Sequence, residues 1–392
     1  MRYKPFLSHK REDAIDMELL RDELVVRGAG GWQDTRELRL GQRWMAAFRS
    51  AIGKETGGFI WYGTRKALAS RTICKVEVPL ALRRARRRKG GAYPVVPLFV
   101  DLQPSEDADA IKRAFGSRRG RRLLDLNGVI RNRGEDLPTF SKRAARQYVK
   151  DLIREHPGDN LHAAITTGRE PTGQHHLSLD WRRLVDDHGR VMDPDSLATI
   201  VETLADIREA LQIKSACPHI TVEPHVRLPL AALIGWEWNR VRPLRLTVQQ
   251  PSPAGLQTVE DRSADPRDWG PPEVTPLASD GPAVVALSVG KRLDGAAQRY
   301  AAAHGARETR CLHVSLDDLP NGMLSTDDIR SLATWAVEQL AALNDRGVEK
   351  HLLLLGPASL AVRIGAAANG TGRTWLPFWD GADGYTSGLA IG

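Results

Sequence analysis

Phe6-Leu7-Ser8-His9-Lys10-Arg11-Glu12-Asp13 turns abruptly from apolar to polar and charged residues. Such a run reads as a buried strand, here Lys4–Ser8, whose carboxyl end opens into a polar turn. In an open parallel sheet the carboxyl ends of the strands face the ligand crevice, which puts Ser8, His9, Lys10 and Arg11 at the mouth of a site. The rhythm repeats downstream. Further strands are expected at Gly30–Gln33, Gly58–Tyr62 and Tyr93–Val100, with helices at about Asp13–Arg27, Gly41–Lys54 and Thr72–Lys89 between them. Helical patterns also cover Asp107–Phe115 and Phe140–His156. Short strands alternating with helices predict an α/β domain built on a parallel sheet.

Beyond it, the polar stretch from His156-Pro157-Gly158-Asp159-Asn160 to Gly173 surrounds strand-like Ala163–Thr166. The domain boundary is placed there, giving domains 1–157 and 158–392. A second loop-rich region, Gln250 to Pro282, divides the remainder into α/β halves at about 158–250 and 282–392. In the first half Leu197, Ile200, Val201, Leu204, Ile207 and Leu211 share one helical face. His219–Val222 and Leu244–Gln249 read as strands around a helical turn at Pro229–Gly235. In the second half Val284–Val289 and Leu312–Leu316 alternate like strands, and His351–Leu355 is a continuous apolar run suited to a buried parallel strand. Ser325–Asn344 is a long helix with Ser325 as N-cap and Asp328 at N3, and Ala358–Ala368 starts another.

A chain of 392 residues suits about two domains of ~150 residues each. Hydrophobic residues at 42% and charged residues at 27% describe a globular protein rather than a disordered one. No run of ~18 apolar residues is present to span a membrane, and Met1-Arg2-Tyr3-Lys4-Pro5 carries no signal-peptide core. Cys74, Cys217 and Cys311 are odd in number and far apart, so neither a disulfide framework nor a zinc pair is expected, and a reducing cytoplasm fits. The net charge of +8 favours an anionic partner: a polyphosphate ligand, a nucleic acid or an acidic surface. Much of the excess sits in two runs, Arg83, Arg84, Arg86, Arg87, Arg88, Lys89 and Arg118, Arg119, Arg121, Arg122. Neither is interleaved with aromatics as a single-strand platform would be, and no nucleic-acid polymer is expected as a partner.

Three segments carry the chemistry of the first domain: the Ser8–Asp13 turn, Gly31-Trp32-Gln33-Asp34 followed by Leu40-Gly41-Gln42-Arg43-Trp44, and Ser70-Arg71-Thr72-Ile73-Cys74-Lys75-Val76-Glu77. Their order and spacing over residues 3–155 resemble the TIR (Toll/interleukin receptor) family, especially its bacterial members. The resemblance implies a flavodoxin-like fold and an NAD glycohydrolase with Glu77 as the catalytic carboxylate. Ser8, His9, Lys10, Arg11, Asp34, Trp44 and Ser70 are the candidate NAD-binding residues. Ser8, Lys10 and Arg11 also suit solvated turn positions, Asp34 a cap, and Trp32 and Trp44 the core or a subunit contact. One carboxylate suffices chemically. Nicotinamide is already a cationic leaving group, and an oxocarbenium-like transition state needs only an adjacent negative charge. NAD is thus substrate, and neither metal nor cofactor is expected. Two departures stand out: Thr72 and Ile73 replace a tryptophan common in relatives, and the step from Ser70 to Glu77 is one residue longer. Pro79 lacks an N–H and clashes with the Lys75 carbonyl, so the helix either kinks around Glu77 or begins there.

After residue 217, Pro224-His225-Val226-Arg227-Leu228-Pro229-Leu230 leads into Ala231–Trp236, Ala286-Leu287-Ser288-Val289-Gly290 ends a strand, and Leu355-Gly356-Pro357-Ala358-Ser359 turns a strand into a helix running through Gly365. Small residues at such turns let the backbone approach a ligand and aim helix N–H groups at phosphates. These stretches resemble the SAVED family over residues 160–392, two fused CARF-like Rossmann halves. That resemblance implies a cyclic oligoadenylate activator, cyclic tri-AMP foremost. The candidate contacts are Trp236, Arg240, Ser288, Gly290, Lys291, Gly356, Pro357 and Ser359, with Arg242 and Trp238 as further possibilities.

A sensor fused to an enzyme implies linkage, with ligand favouring the active arrangement. Resemblance to a TIR–SAVED fusion of CBASS antiphage defence implies activator-driven head-to-tail self-association and an NAD site completed by a neighbouring subunit. A non-enzymatic TIR scaffold recruiting a partner is the alternative. A ligand-gated nuclease is a third reading, disfavoured because no Asp/Glu-x-Lys pattern sits on a strand.

Overall fold

The computed structural model describes residues 4–31, 44–87, 93–168, 174–239, 244–252, 255–260, 267–277, 280–380 and 384–392. The chain forms two compact units: Met1–Ala164 with Thr172–Asp180 and Glu209–Pro218, and Ile165–Pro171 with Trp181–Arg208 and His219–Gly392. The first therefore reaches past residue 157. Ser178 N–H donates to Gly28 O at 2.9 Å, and a Cβ on Gly28 would lie 3.0 Å from Leu177, which ties the Thr172–Asp180 segment to it.

In the first unit β1 (Pro5–Ser8), β2 (Gly58–Gly63), β3 (Val95–Phe99) and β4 (Val129–Ile130) form a wholly parallel sheet in that order. Its first three strands are buried throughout, as continuous apolar runs predict for a parallel sheet. Helix α1 (Ala14–Val26) follows β1. The helices after it are α2 (Trp44–Ser50), the short α3 (Arg65–Leu68), α4 (Val78–Arg87), α5 (Ala108–Phe115), α6 (Ser117–Leu124) and α7 (Leu137–Arg154). Phe6, Phe59, Trp61 and Phe99 form one buried cluster with Phe48, Ile52, Ile73, Val78, Leu82 and Phe115 from the helices. Trp61 meets Phe99 and Phe115 edge to face, at 5.9 and 5.2 Å. Helix α1 packs against α7. The expected strand at Gly30–Gln33 lies in part outside the described residues.

The expected break near Glu77 takes a specific form. Residues Ile73–Glu77 are a π-turn running straight into α4, with Val78 N–H bonded to Ile73 O. Pro79 cannot donate to the preceding turn, and a wider i to i+5 turn just before it relieves the conflict. A π-turn also accommodates one extra residue, which is what the Ser70–Glu77 spacing contains.

β5 (Asn160–Thr166) and α8 (Pro194–Lys214) span the division between units, and β6 (Leu177–Asp180) belongs to the first. In the second unit β7 (His219–His225) runs parallel to β8 (Arg245–Ser252) through helix α9 (Leu228–Asn239), and β8 turns back into antiparallel β9 (Gly255–Val259). The expected helical turn at Pro229–Gly235 is thus a full helix. The stretch expected to be loop, Gln250–Pro282, holds β9 and β10 (Glu273–Pro276), the latter pairing antiparallel with β12 (Glu308–Val314).

A six-stranded sheet follows in the order β10-β12-β11-β13-β14-β15, with β11 (Ala283–Val289), β13 (Lys350–Leu355), β14 (Thr374–Trp379) and β15 (Tyr385–Ile391). Its central strands are parallel and its edges antiparallel. Helices α10 (Asp294–Ala303), α11 (Thr326–Asn344) and α12 (Ala358–Ala367) connect β11 to β12, β12 to β13 and β13 to β14. After β11 the chain steps to one side, and after β12 it crosses back to the other. Right-handed crossovers then send α10 and α12 to opposite faces and leave a crevice between the carboxyl ends of β11 and β13. The expected strand at Leu312–Leu316 stops at Val314, because Ser315 caps a 3-10 turn at Leu316–Asp318.

Helices α9 and α12 cross at two glycines. A Cβ on Gly235 would lie 1.9 Å from Val362 O, and one on Gly365 would lie 1.9 Å from Ala232 O. The same pattern, Leu-Ala-x-x-Ile-Gly, occupies Leu230–Gly235 and Leu360–Gly365. Each helix omits the side chain that the other's backbone would strike.

Candidate functional sites

In the first unit Ser8 closes β1 and Glu77 closes the π-turn after β2. Ser8 Oγ donates to Glu77 Oε2 at 2.6 Å, with both residues buried. A charge-assisted bond of that length fixes the carboxylate's orientation. Beside it, at the end of β2, Thr64 Oγ1 donates to Asp13 Oδ2 at 2.9 Å and accepts from Ala67 N at 3.1 Å as the cap of α3. Tyr62 Oη reaches Asp16 Oδ2 at 3.4 Å, and burial together with Asp16 and Asp13 raises its phenol well above the ordinary range. Burial, with Glu77 adding, pushes the Cys74 thiol up to about 11 against the opposing pull of Lys75, so it stays protonated and is no nucleophile at neutral pH.

The other expected residues separate around this pair. His9 is half-buried with Nδ1 3.1 Å from Leu7 O, Lys10 is half-buried before the 3-10 turn Arg11–Asp13, and Arg11 is exposed. Ser70 Oγ accepts from Ile73 N at 3.4 Å and so starts the helix that carries Glu77. Trp32 and Asp34 lie outside the described residues, and only the backbone of Trp44 is described, as the first residue of α2. The Asp13–Thr64 pair was missed; its sequence signal is a threonine directly after an apolar strand.

The two basic runs meet elsewhere in this unit. Arg84 lies over the Tyr93 ring at 4.1 Å and donates to Ile52 O. Arg122 lines a cavity of 450 Å³ with Tyr93, Asn127, Asp151 and Glu155, where burial first and Arg86 second lower its basicity. Arg88 and Lys89 lie outside the described residues.

In the second unit the two glycine turns stand side by side across the β11–β13 crevice, since Ser288 pairs in register with Leu355. Gly290 takes a φ of 84°, which favours glycine, and donates to Val314 O at 2.9 Å. Lys291 is exposed in the turn. Gly356 is half-buried beside Val289, and Pro357 caps α12. Ser359 is fully buried and gives its hydroxyl to Gln250 Oε1 at 2.5 Å and its N–H to the same oxygen at 3.3 Å, so it holds the first turn of α12. Trp238 is buried with Nε1 on Leu204 O at 3.2 Å, a core role, while Trp236 is half-buried. Arg240 and Arg242 lie outside the described residues.

A parallel α/β sheet with a buried carboxylate beside the carboxyl end of its first strand defines the first unit as a flavodoxin-like scaffold. Residues 6–137 match the family model for the TIR domain, and this part of the chain is a TIR domain. Curated proteins give no match to the chain. Among solved structures it is similar to the Acinetobacter baumannii Cap4 SAVED/CARF-domain receptor with the cyclic trinucleotide 3'3'3'-cAAA, at 12% identity, TM-score 0.44, covering 91% of this chain and 87% of that one. The same receptor with 2'3'3'-cAAA gives 12%, 0.46, 91% and 86%. The Moraxella osloensis Cap4 SAVED/CARF-domain receptor gives 11%, 0.45, 100% and 88%. No helix among the described residues is long and apolar enough to cross a membrane, and none of their His, Cys, Asp and Glu side chains cluster as a metal site.

Proposed function

We propose that the chain is an NAD glycohydrolase switched on by a cyclic oligonucleotide. The observation that carries the catalytic half is the Ser8–Glu77 hydrogen bond of 2.6 Å at the crevice of a TIR domain. Glu77 stabilises the cationic ribose as the C1'–N bond breaks, and nicotinamide leaves with the bonding pair as a neutral molecule. Water adds to C1' and releases a proton, giving ADP-ribose. Ser8 keeps the carboxylate aimed, and the same oxygens can accept bonds from ribose hydroxyls.

The sensor reading rests on the β11–β13 crevice, flanked by the Gly290 and Gly356 turns, together with the SAVED resemblance of the sequence. A ring of phosphates, cyclic tri-AMP foremost, fits turns that expose backbone and the free charge of Lys291. Activator binding drives head-to-tail self-association, and the NAD site is completed between subunits.

The test is NAD consumption by the purified full chain, alone and with cyclic di-, tri- and tetranucleotides. Turnover with one of them supports enzyme, sensor and coupling together. Absence of turnover under all conditions favours a TIR scaffold that recruits a partner.

A further inference from the structure

His313 stands at the carboxyl end of β12, in register with Ser288 on β11. Its Nδ1 lies 3.0 Å from Ser288 Oγ. Ser288 is 1% exposed, whereas His313 is half-buried near the carboxyl end of its strand. The proton in this bond can be assigned. Were the imidazole the donor, the buried Ser288 hydroxyl would keep a hydrogen with no acceptor among the described residues. That orphaned donor is costly, so Ser288 donates to Nδ1 and the ring carries its hydrogen on Nε2. Nε2 has no partner among the described residues. The neighbouring turn presents Gly290, where a Cβ would meet Leu316 at 3.3 Å, and the exposed Lys291.

We infer that His313 is a ligand-binding residue of the sensor crevice, donating from Nε2 to an anionic or acceptor oxygen of the bound cyclic nucleotide, with Ser288 as its positioning residue. This rests on the sensor reading above. It changes the part that Ser288 plays: the serine, buried behind the ring, acts through His313 rather than on the ligand. Lys291 supplies charge, and His313 supplies a directed donor.

Two substitutions separate the ring's two nitrogens. Asparagine reaches as far as Nδ1 and keeps the Ser288 bond, but it has no outward donor. Glutamine reaches the Nε2 position and restores one. Binding of cyclic triadenylate to the full chain would be measured by calorimetry, with the melting temperature of ligand-free protein alongside. His313→Asn is expected to weaken binding by about tenfold or more at an unchanged melting temperature, and His313→Gln to recover most of it. Ser288→Ala should weaken binding less, and add nothing in the His313→Asn background. Wild-type binding with His313→Asn within about twofold of it overturns the inference and leaves the sensor reading intact. Failure of the wild type to bind cyclic di-, tri- and tetranucleotides overturns both.

Discussion

Ser8 and Glu77, 69 residues apart in the chain, are joined by one hydrogen bond of 2.6 Å. The bond links the end of the first strand to the end of a π-turn, so the carboxylate's direction depends on two separate elements.

Glu77→Gln is expected to abolish NAD turnover while leaving activator binding unchanged. Ser8→Ala removes a donor to a charged acceptor, worth roughly 1.5–3 kcal/mol, and should lower kcat by about 10- to 100-fold with little change in KM. Steady-state kinetics of the activated protein decide this; a change confined to KM would instead make Ser8 a substrate contact.

The crossing of α9 and α12 admits no side chain at Gly235 or Gly365. Gly235→Ala and Gly365→Ala should each destabilise the second unit by about 2–4 kcal/mol, because the clash is with backbone that cannot rotate away. Gly53, with nothing within 4 Å of a Cβ, is the control, and its alanine variant should unfold at nearly the wild-type midpoint. Urea denaturation reads all three.

Arg363 is buried and donates to Leu246 O and Val259 O, each at 2.7 Å. It thereby holds α12 to β8 and β9. Arg363→Met keeps the bulk but leaves two carbonyls without this donor, and a loss of about 2–4 kcal/mol is expected in the same denaturation.

Three histidines of the first unit pack together: His176 lies 4.4 Å from the His156 ring and 5.3 Å from that of His162. Burial, then the neighbouring imidazoles, lower His176 to about 4, and burial lowers His156 and His162 too. Lys214 opposes the charge on His156, while Asp159 favours it; His175 opposes it on His162 and His176. A histidine whose folded pKa is depressed binds its proton more readily in the unfolded chain. Its contribution is complete above about pH 6.5 and is lost as pH falls towards 4. The melting temperature should drop across that window. His176→Asn, which retains an acceptor for the His162 N–H, should flatten the drop.

Much of this architecture was readable because apolar runs declare buried parallel strands without tertiary information. Pro5–Ser8, Gly58–Gly63 and Lys350–Leu355 all sit where the pattern put them, and Ser325 and Asp328 form the expected capping box. The motif singles out Glu77, but not the π-turn that carries it, since backbone hydrogen-bond shifts leave no periodic trace. Edge strands such as Glu273–Pro276 were missed because their side chains are largely exposed and alternate weakly. The pairing of Ser359 with Gln250, and of Ser288 with His313, depends on strand order, which no local pattern encodes.

The reciprocal glycines also bear on the history of the second unit. Because Gly235 makes room for the backbone at Val362, and Gly365 for that at Ala232, a mutation in one Leu-Ala-x-x-Ile-Gly copy can be answered only from the other copy. A side chain at either glycine therefore requires the facing main chain to move. Neither copy could be excised, exchanged with a relative's or remodelled alone without leaving bare main chain where its twin had been.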